Sequence, residues 1–90
     1  MKGLIKVRIR RQSLGTRNLV GLRVTTARKK QGMKQRELLA RLQTSGIDIP
    51  ASALSKLEGM TRAVTDRELV ALADTLSVSV DWLLGRGGQN

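Results

Sequence analysis

The chain has no cysteine, no histidine, no phenylalanine and no tyrosine, and it carries a single proline and a single tryptophan. Each absence excludes something. Without Cys there is neither a disulfide framework nor a thiolate to hold a metal or attack a substrate. With His missing too, most zinc sites and the usual acid–base catalysts are gone, so an enzyme is the least expected class. One aromatic ring cannot build the row of platforms on which single-stranded nucleic acid stacks. No run approaches the roughly 20 apolar residues of a membrane-spanning helix. The apolar run near the N-terminus is too short and too interrupted for a signal peptide, so a cytoplasmic location is the expectation. The 90 residues supply one small domain with room for one modest core.

Acidic residues are also missing from the first part of the chain. Glu37 is the first of them, and twelve Lys and Arg precede it, from Lys2, Lys6, Arg8, Arg10 and Arg11 through to Lys34 and Arg36. From Glu37 onward five cations stand against seven acids, and the whole chain carries +10. A charge distribution of this kind suits a polyanion, either nucleic acid or an acidic membrane surface. A basic tail that only solubilises the protein is the plainer alternative.

Residues 1–17 lack helical periodicity. Within them Ile5-Lys6-Val7-Arg8-Ile9-Arg10 alternates apolar and basic, which is strand spacing. The segment therefore reads as a disordered tail first, and otherwise as an arm along DNA or a strand pairing with a second chain. Five short helices follow. Asn18 caps the first, with Val20, Val24 and Ala27 on one face and Gly32 as a left-handed stop. The second begins near Lys34 and buries Leu38, Leu39 and Leu42. Thr44-Ser45-Gly46 marks a turn, and the third helix covers about Pro50 to Glu58, since its first turn tolerates a residue without an amide hydrogen. Thr65 and Glu68 form a capping box before a fourth helix that buries Leu69, Leu72, Ala73 and Leu76. Ser79 caps a last short helix with Trp82, Leu83 and Leu84, Gly85 ends it, and residues 87–90 are expected to fray. The result is a compact all-α domain over 18–86.

The third helix, within "IPASALSKLEG", has an unusual outer face. Ala53, Leu54 and Leu57 share its inner side. Ala51, Ser52, Ser55 and Lys56 are left outside: two hydroxyls, one methyl and one long cation, where a solvated helix face is usually dense with charge. Taken alone, these residues favour a merely solvated surface.

From about Asn18 to Arg86 the chain resembles the Cro/Xre-type helix-turn-helix family of phage repressors and bacterial regulators. The resemblance rests on "ARKKQGMKQRELLARL", "LSKLEG" and "TDRELVALADTLSVSVDWLLG", in that order. It implies a lambda-repressor-like fold of five helices preceded by a basic N-terminal extension. It implies double-stranded DNA as the partner, a homodimer on the operator, and no catalysis, cofactor, metal or small-molecule ligand. Under it the third helix enters the major groove, with Ala51, Ser52, Ser55 and Lys56 toward the bases. Ser52 and Ser55 can donate or accept, Ala51 can meet a thymine methyl, and Lys56 can reach guanine or a phosphate. Gln35, Thr61 and Arg62 match phosphate-gripping positions, and Lys34, where the family often has a capping Ser or Thr, would meet an adjacent phosphate. Arg28 and Glu58 match a structural ion pair beneath the DNA surface, and Trp82 reads as core or dimer edge.

The chain departs from the family in four places. The connector "QTSGIDI" is longer than usual, Pro50 replaces a capping hydroxyl, Leu39 stands where a small residue is common, and Met60 occupies a common Gly position. Pro50 leaves the start of the third helix open, Leu39 should push the second and third helices apart or rotate them, and together the departures leave the base-reading register open. A protein-interaction module such as an antitoxin, and a peripheral membrane binder acting through residues 1–11, are the readings from other classes.

Overall fold

The computed structural model describes residues 18–86, so the expectations for residues 1–17 and 87–90 lie outside it. The described residues form five helices: α1 Gly21–Lys30, α2 Gln35–Thr44, α3 Ala51–Glu58, α4 Asp66–Leu76 and α5 Val80–Leu83. No strand occurs among the described residues. α3 packs on α1 and α2, and α4 packs on α1, α2 and α5. One core lies between them, built from Val20, Val24, Ala27, Met33, Leu38, Leu42, Ile47, Leu54, Leu57, Ala71, Leu72, Ala73, Leu76 and Leu83.

The periodicity that predicted the helices also predicted most of this core. Two residues differ: Leu39 and Leu69 are only half-buried at its margin. Leu39 follows the fully buried Leu38 by one residue, a turn of about 100° on the helix, and Leu69 stands beside exposed Val70 near the start of α4. Ala71 and Ile47 take core places that the apolar spacing did not mark. α3 starts one residue later than expected: Pro50 stands just outside it, and its carbonyl accepts from the amides of Ala53 at 2.9 Å and Leu54 at 3.2 Å.

All five helices end in the same way. The residue after the C-cap of α1 to α3 and α5, and the C-cap residue of α4, turns left-handed at Gly32, Gly46, Met60, Ser77 and Gly85. The following amide then reaches back five residues to the helix: Met33 to Arg28, Ile47 to Leu42, Thr61 to Lys56, Val78 to Ala73 and Arg86 to Asp81. This arrangement satisfies otherwise orphaned carbonyls and commonly adds an apolar contact from the residue after the turn. Met33 and Ile47 make that contact in the core, with Val78 packed on its edge. In the long connector, the stretch Gln43–Ile47 is therefore the end of α2 folding back on itself. Met60, at the common Gly position, itself takes a positive φ (62°), while Gly59 keeps an ordinary helical backbone.

Asn18 is a fully buried polar residue that ties the start of the domain to α3. Its carboxamide oxygen accepts from the amides of Val20 (3.1 Å) and Gly21 (2.9 Å). Its nitrogen donates to the carbonyls of Leu57 and Arg62, both at 2.9 Å. The N-cap position of α1 is Val20 rather than the expected Asn18, whose side chain instead holds the turn that leads into the helix and closes the end of α3 and the loop after it. Gly21 sits where a Cβ would run into the Leu57 carbonyl and the Met60 side chain, so α1 crosses α3 at backbone distance.

Two substitutions test these points by chemical denaturation. Asn18→Ala removes a donor from the carbonyls of Leu57, which keeps the Met60 amide, and Arg62, and uncaps the start of the domain, so it should cost about 1–3 kcal/mol. Ser77→Gly relieves a left-handed turn on an exposed residue and should add about 0.5–1 kcal/mol.

Candidate nucleic-acid interface

α3 turns Leu54 and Leu57 into the core and leaves Ala51, Ser52, Ser55 and Lys56 exposed. Ala53 is half-buried beside the leucines. All four residues expected to read bases thus lie on one open face, furnished with two hydroxyls, a methyl and one cation. The N-terminus of α2 abuts this face, because the Ser55 hydroxyl donates to Gln35 Oε1 at 3.3 Å.

Behind the face lies a connected set of polar groups centred on Glu58, the last residue of α3. Arg28 of α1 donates from Nε to Oε2 at 2.8 Å and from Nη2 to Oε1 at 3.0 Å. Gln35 of α2 donates from Nε2 to Oε1 at 2.9 Å, and Thr25 of α1 donates to the same oxygen at 3.1 Å. Arg28 also donates from Nη1 to the Met33 carbonyl at 2.8 Å. The side chains of Arg28 and Glu58 are only 10% and 6% exposed. One carboxylate therefore fastens three helices beneath the exposed face. Burial pushes the Glu58 carboxyl up, but the hydrogen bonds from Arg28 and Gln35 and the guanidinium charge outweigh it, and its pKa lies below the ordinary glutamate value.

The four residues expected to meet phosphates divide. Lys34 is exposed at the N-cap of α2, and its side chain makes no capping hydrogen bond. A cation there opposes the helix dipole by about 0.3–1 kcal/mol, and Glu37 offsets this by accepting from the Lys34 amide at 2.7 Å. Gln35 is half-buried and shared between Glu58 and Ser55. Thr61 is exposed, and its hydroxyl donates to the Lys56 carbonyl at 3.2 Å. Arg62 is turned inward: its two terminal nitrogens meet the two oxygens of Glu68, each at 3.1 Å. Glu68 in turn accepts from the Thr65 amide, while its own amide donates to the Thr65 hydroxyl, completing the expected capping box. For Glu68 as well, burial pushes the carboxyl up, but the hydrogen bonds from Arg62 and Thr65 prevail and the pKa is lowered.

Sequence reasoning missed three parts of this arrangement. Thr25 carries no mark in the helical pattern, because its role is set by α3 packing across it. The second tie of Asn18, to α3, spans 39 residues and leaves no local signal. The Arg62–Glu68 pair links a loop to a helix, where no spacing rule operates. Trp82 is half-buried, with the Arg23 guanidinium 5.4 Å from its ring centroid, which leaves it poorly placed to stack on a base. Among the described residues no group of acidic side chains could hold a metal, and no helix is long and apolar enough to cross a membrane.

The family model for the helix-turn-helix of the Cro/C1 type matches residues 25–83, about two-thirds of the chain. The protein belongs to this helix-turn-helix family of DNA-binding domains. The matched span runs from Thr25 through α5, so it includes the whole Glu58 cluster and the exposed face of α3. No curated protein sequence matches the chain.

The lowered carboxylates give stability a defined pH dependence. A depressed folded-state pKa contributes stability that is present above the unfolded value and is lost as pH falls through the folded one. Thermal unfolding should therefore be flat near neutrality and shift to lower temperature as pH drops below the ordinary value of 4.5. Glu58→Gln should lower the unfolding temperature at pH 7 and flatten that acid limb.

Proposed function

We propose that the protein is a sequence-specific double-stranded DNA-binding regulator, acting as a repressor and as a homodimer in the cytoplasm, without chemistry of its own. The observation that carries this reading is the exposed face of α3, small and polar, held beside the N-terminus of α2. A helix so furnished can approach base edges closely in the major groove, where bulky side chains would hold it off. The amide end of α2 then points toward the neighbouring phosphate.

Ala51, Ser52, Ser55 and Lys56 contribute sequence readout. Lys34 and Thr61 meet the backbone, and Gln35 uses the amide hydrogen not given to Glu58. Arg62 contributes to the backbone contact only to the extent that it leaves Glu68. Most of the affinity comes from counterion release by the basic half of the chain. The homodimer follows the habit of the family, whose paired recognition helices meet two half-sites one helical turn apart.

Selection of bound sequences from a random duplex pool tests the reading as a whole. A two-fold symmetric site is expected, and recovery of no common sequence would overturn sequence specificity. On the selected duplex, affinity should fall steeply with salt, by about 0.9 in the log–log slope for each phosphate contact. Ser52→Ala and Lys56→Ala should cost about 1–3 kcal/mol on the preferred site and relax preference there. Lys34→Ala should weaken binding to all sequences alike. Preference that changes with Lys34 and not with the α3 residues would refute the assignment of roles.

A further inference from the structure

The hydrogen bonds behind α3 run in one direction, and that direction reaches the DNA-facing surface. Arg28 has donors and no acceptor. It is fixed on Glu58 and the Met33 carbonyl, so Glu58 is held ionised and can only accept. Gln35 must then present its NH2 group to Glu58, which it does at 2.9 Å. This choice of amide orientation leaves Gln35 Oε1 facing Ser55. The Ser55 hydroxyl has one hydrogen, and it is given to that oxygen at 3.3 Å. What remains on the exposed side of Ser55 Oγ is lone pairs.

We infer that the Arg28–Glu58–Gln35 relay makes Ser55 a hydrogen-bond acceptor toward DNA, so that Ser55 selects a base whose major-groove edge presents an amino donor: adenine through N6 or cytosine through N4. The inference rests on the proposed function and refines it at one residue. A hydroxyl with its hydrogen committed inward is repelled by a phosphate oxygen, by guanine O6 and N7 and by thymine O4, all of which are acceptors. Ser52, three residues earlier on the same face, makes no side-chain hydrogen bond among the described residues and keeps both roles. Two serines of equal chemistry thus acquire different preferences from what lies beneath them.

The test uses the full chain and a duplex recovered from a random pool. Ser55→Ala identifies the base pair that Ser55 reads, as the position where preference is lost. That position should carry adenine or cytosine opposite Ser55. Removing its amino group, by purine for adenine or by 2-pyrimidinone for cytosine, should weaken wild-type binding about fivefold and leave Ser55→Ala binding unchanged. Glu58→Gln supplies a second arm. A carboxamide at 58 can donate, Gln35 can turn over, and Ser55 recovers its hydrogen, so guanine and thymine become tolerated at that position. The wild-type and Ser55→Ala arms are decisive by themselves, whatever the stability of the Glu58 variant. Guanine or thymine opposite Ser55, indifference to loss of the amino group, or a Ser55→Ala variant with unchanged preference throughout would each overturn the inference while leaving DNA binding intact. Failure to bind any duplex would instead overturn the functional reading, and the inference with it.

Discussion

The structure depends most on the buried carboxylate of Glu58. It receives Arg28 and Thr25 from α1 and Gln35 from α2, and it belongs to α3. The three helices around the exposed face of α3 are thereby joined through a single side chain. A buried ion pair of this kind adds little net stability compared with apolar residues of the same volume, because desolvation offsets the attraction. Its effect here is geometric. It sets the angle at which the end of α3 meets the start of α2, and it removes freedom from the side chains that border the exposed face.

A small domain can hold such a group only if the rest of the chain leaves few polar atoms unpaired. The described residues have no buried side-chain nitrogen or oxygen without a partner. The repeated helix endings contribute to this. Each left-handed turn returns an amide to the helix it leaves, and Gln31 adds its side-chain NH2 to the Leu76 carbonyl at the end of α4, at 2.8 Å. Asn18 does the same at the junction of α1 and α3. Helices of four to eleven residues gain little from their own propensity. They persist because caps, closing turns and the leucine core act together.

In the proposed reading, charge and structure divide the work of binding between different regions. Much of the positive charge lies before α2, whereas the exposed face of α3 carries one cation among small groups. This fits a protein that gains affinity from the phosphate backbone and discrimination from a close, sparsely decorated helix. It also explains why an arginine such as Arg62 can be given up to a structural pair with Glu68 without depleting the basic surface.

The sequence by itself determined the fold class and most of the core, since a five-helix pattern with turn and cap signals is local information that survives any arrangement of the helices. It determined which four residues of α3 face outward, because Leu54 and Leu57 leave no other choice. It also brought Arg28 and Glu58 together, though only through the family resemblance. Tertiary structure decided the rest. Nothing local announced that Arg62 would turn to Glu68, that Thr25 would join the Glu58 cluster, or that Asn18 would clasp α3. Nor could spacing reveal that Gln35 lies between Ser55 and Glu58, or which way its amide points. The physical reason is common to all of these. A hydrogen-bonding side chain takes its partner and its polarity from whatever packs across it, and that neighbour is dozens of residues away along the chain.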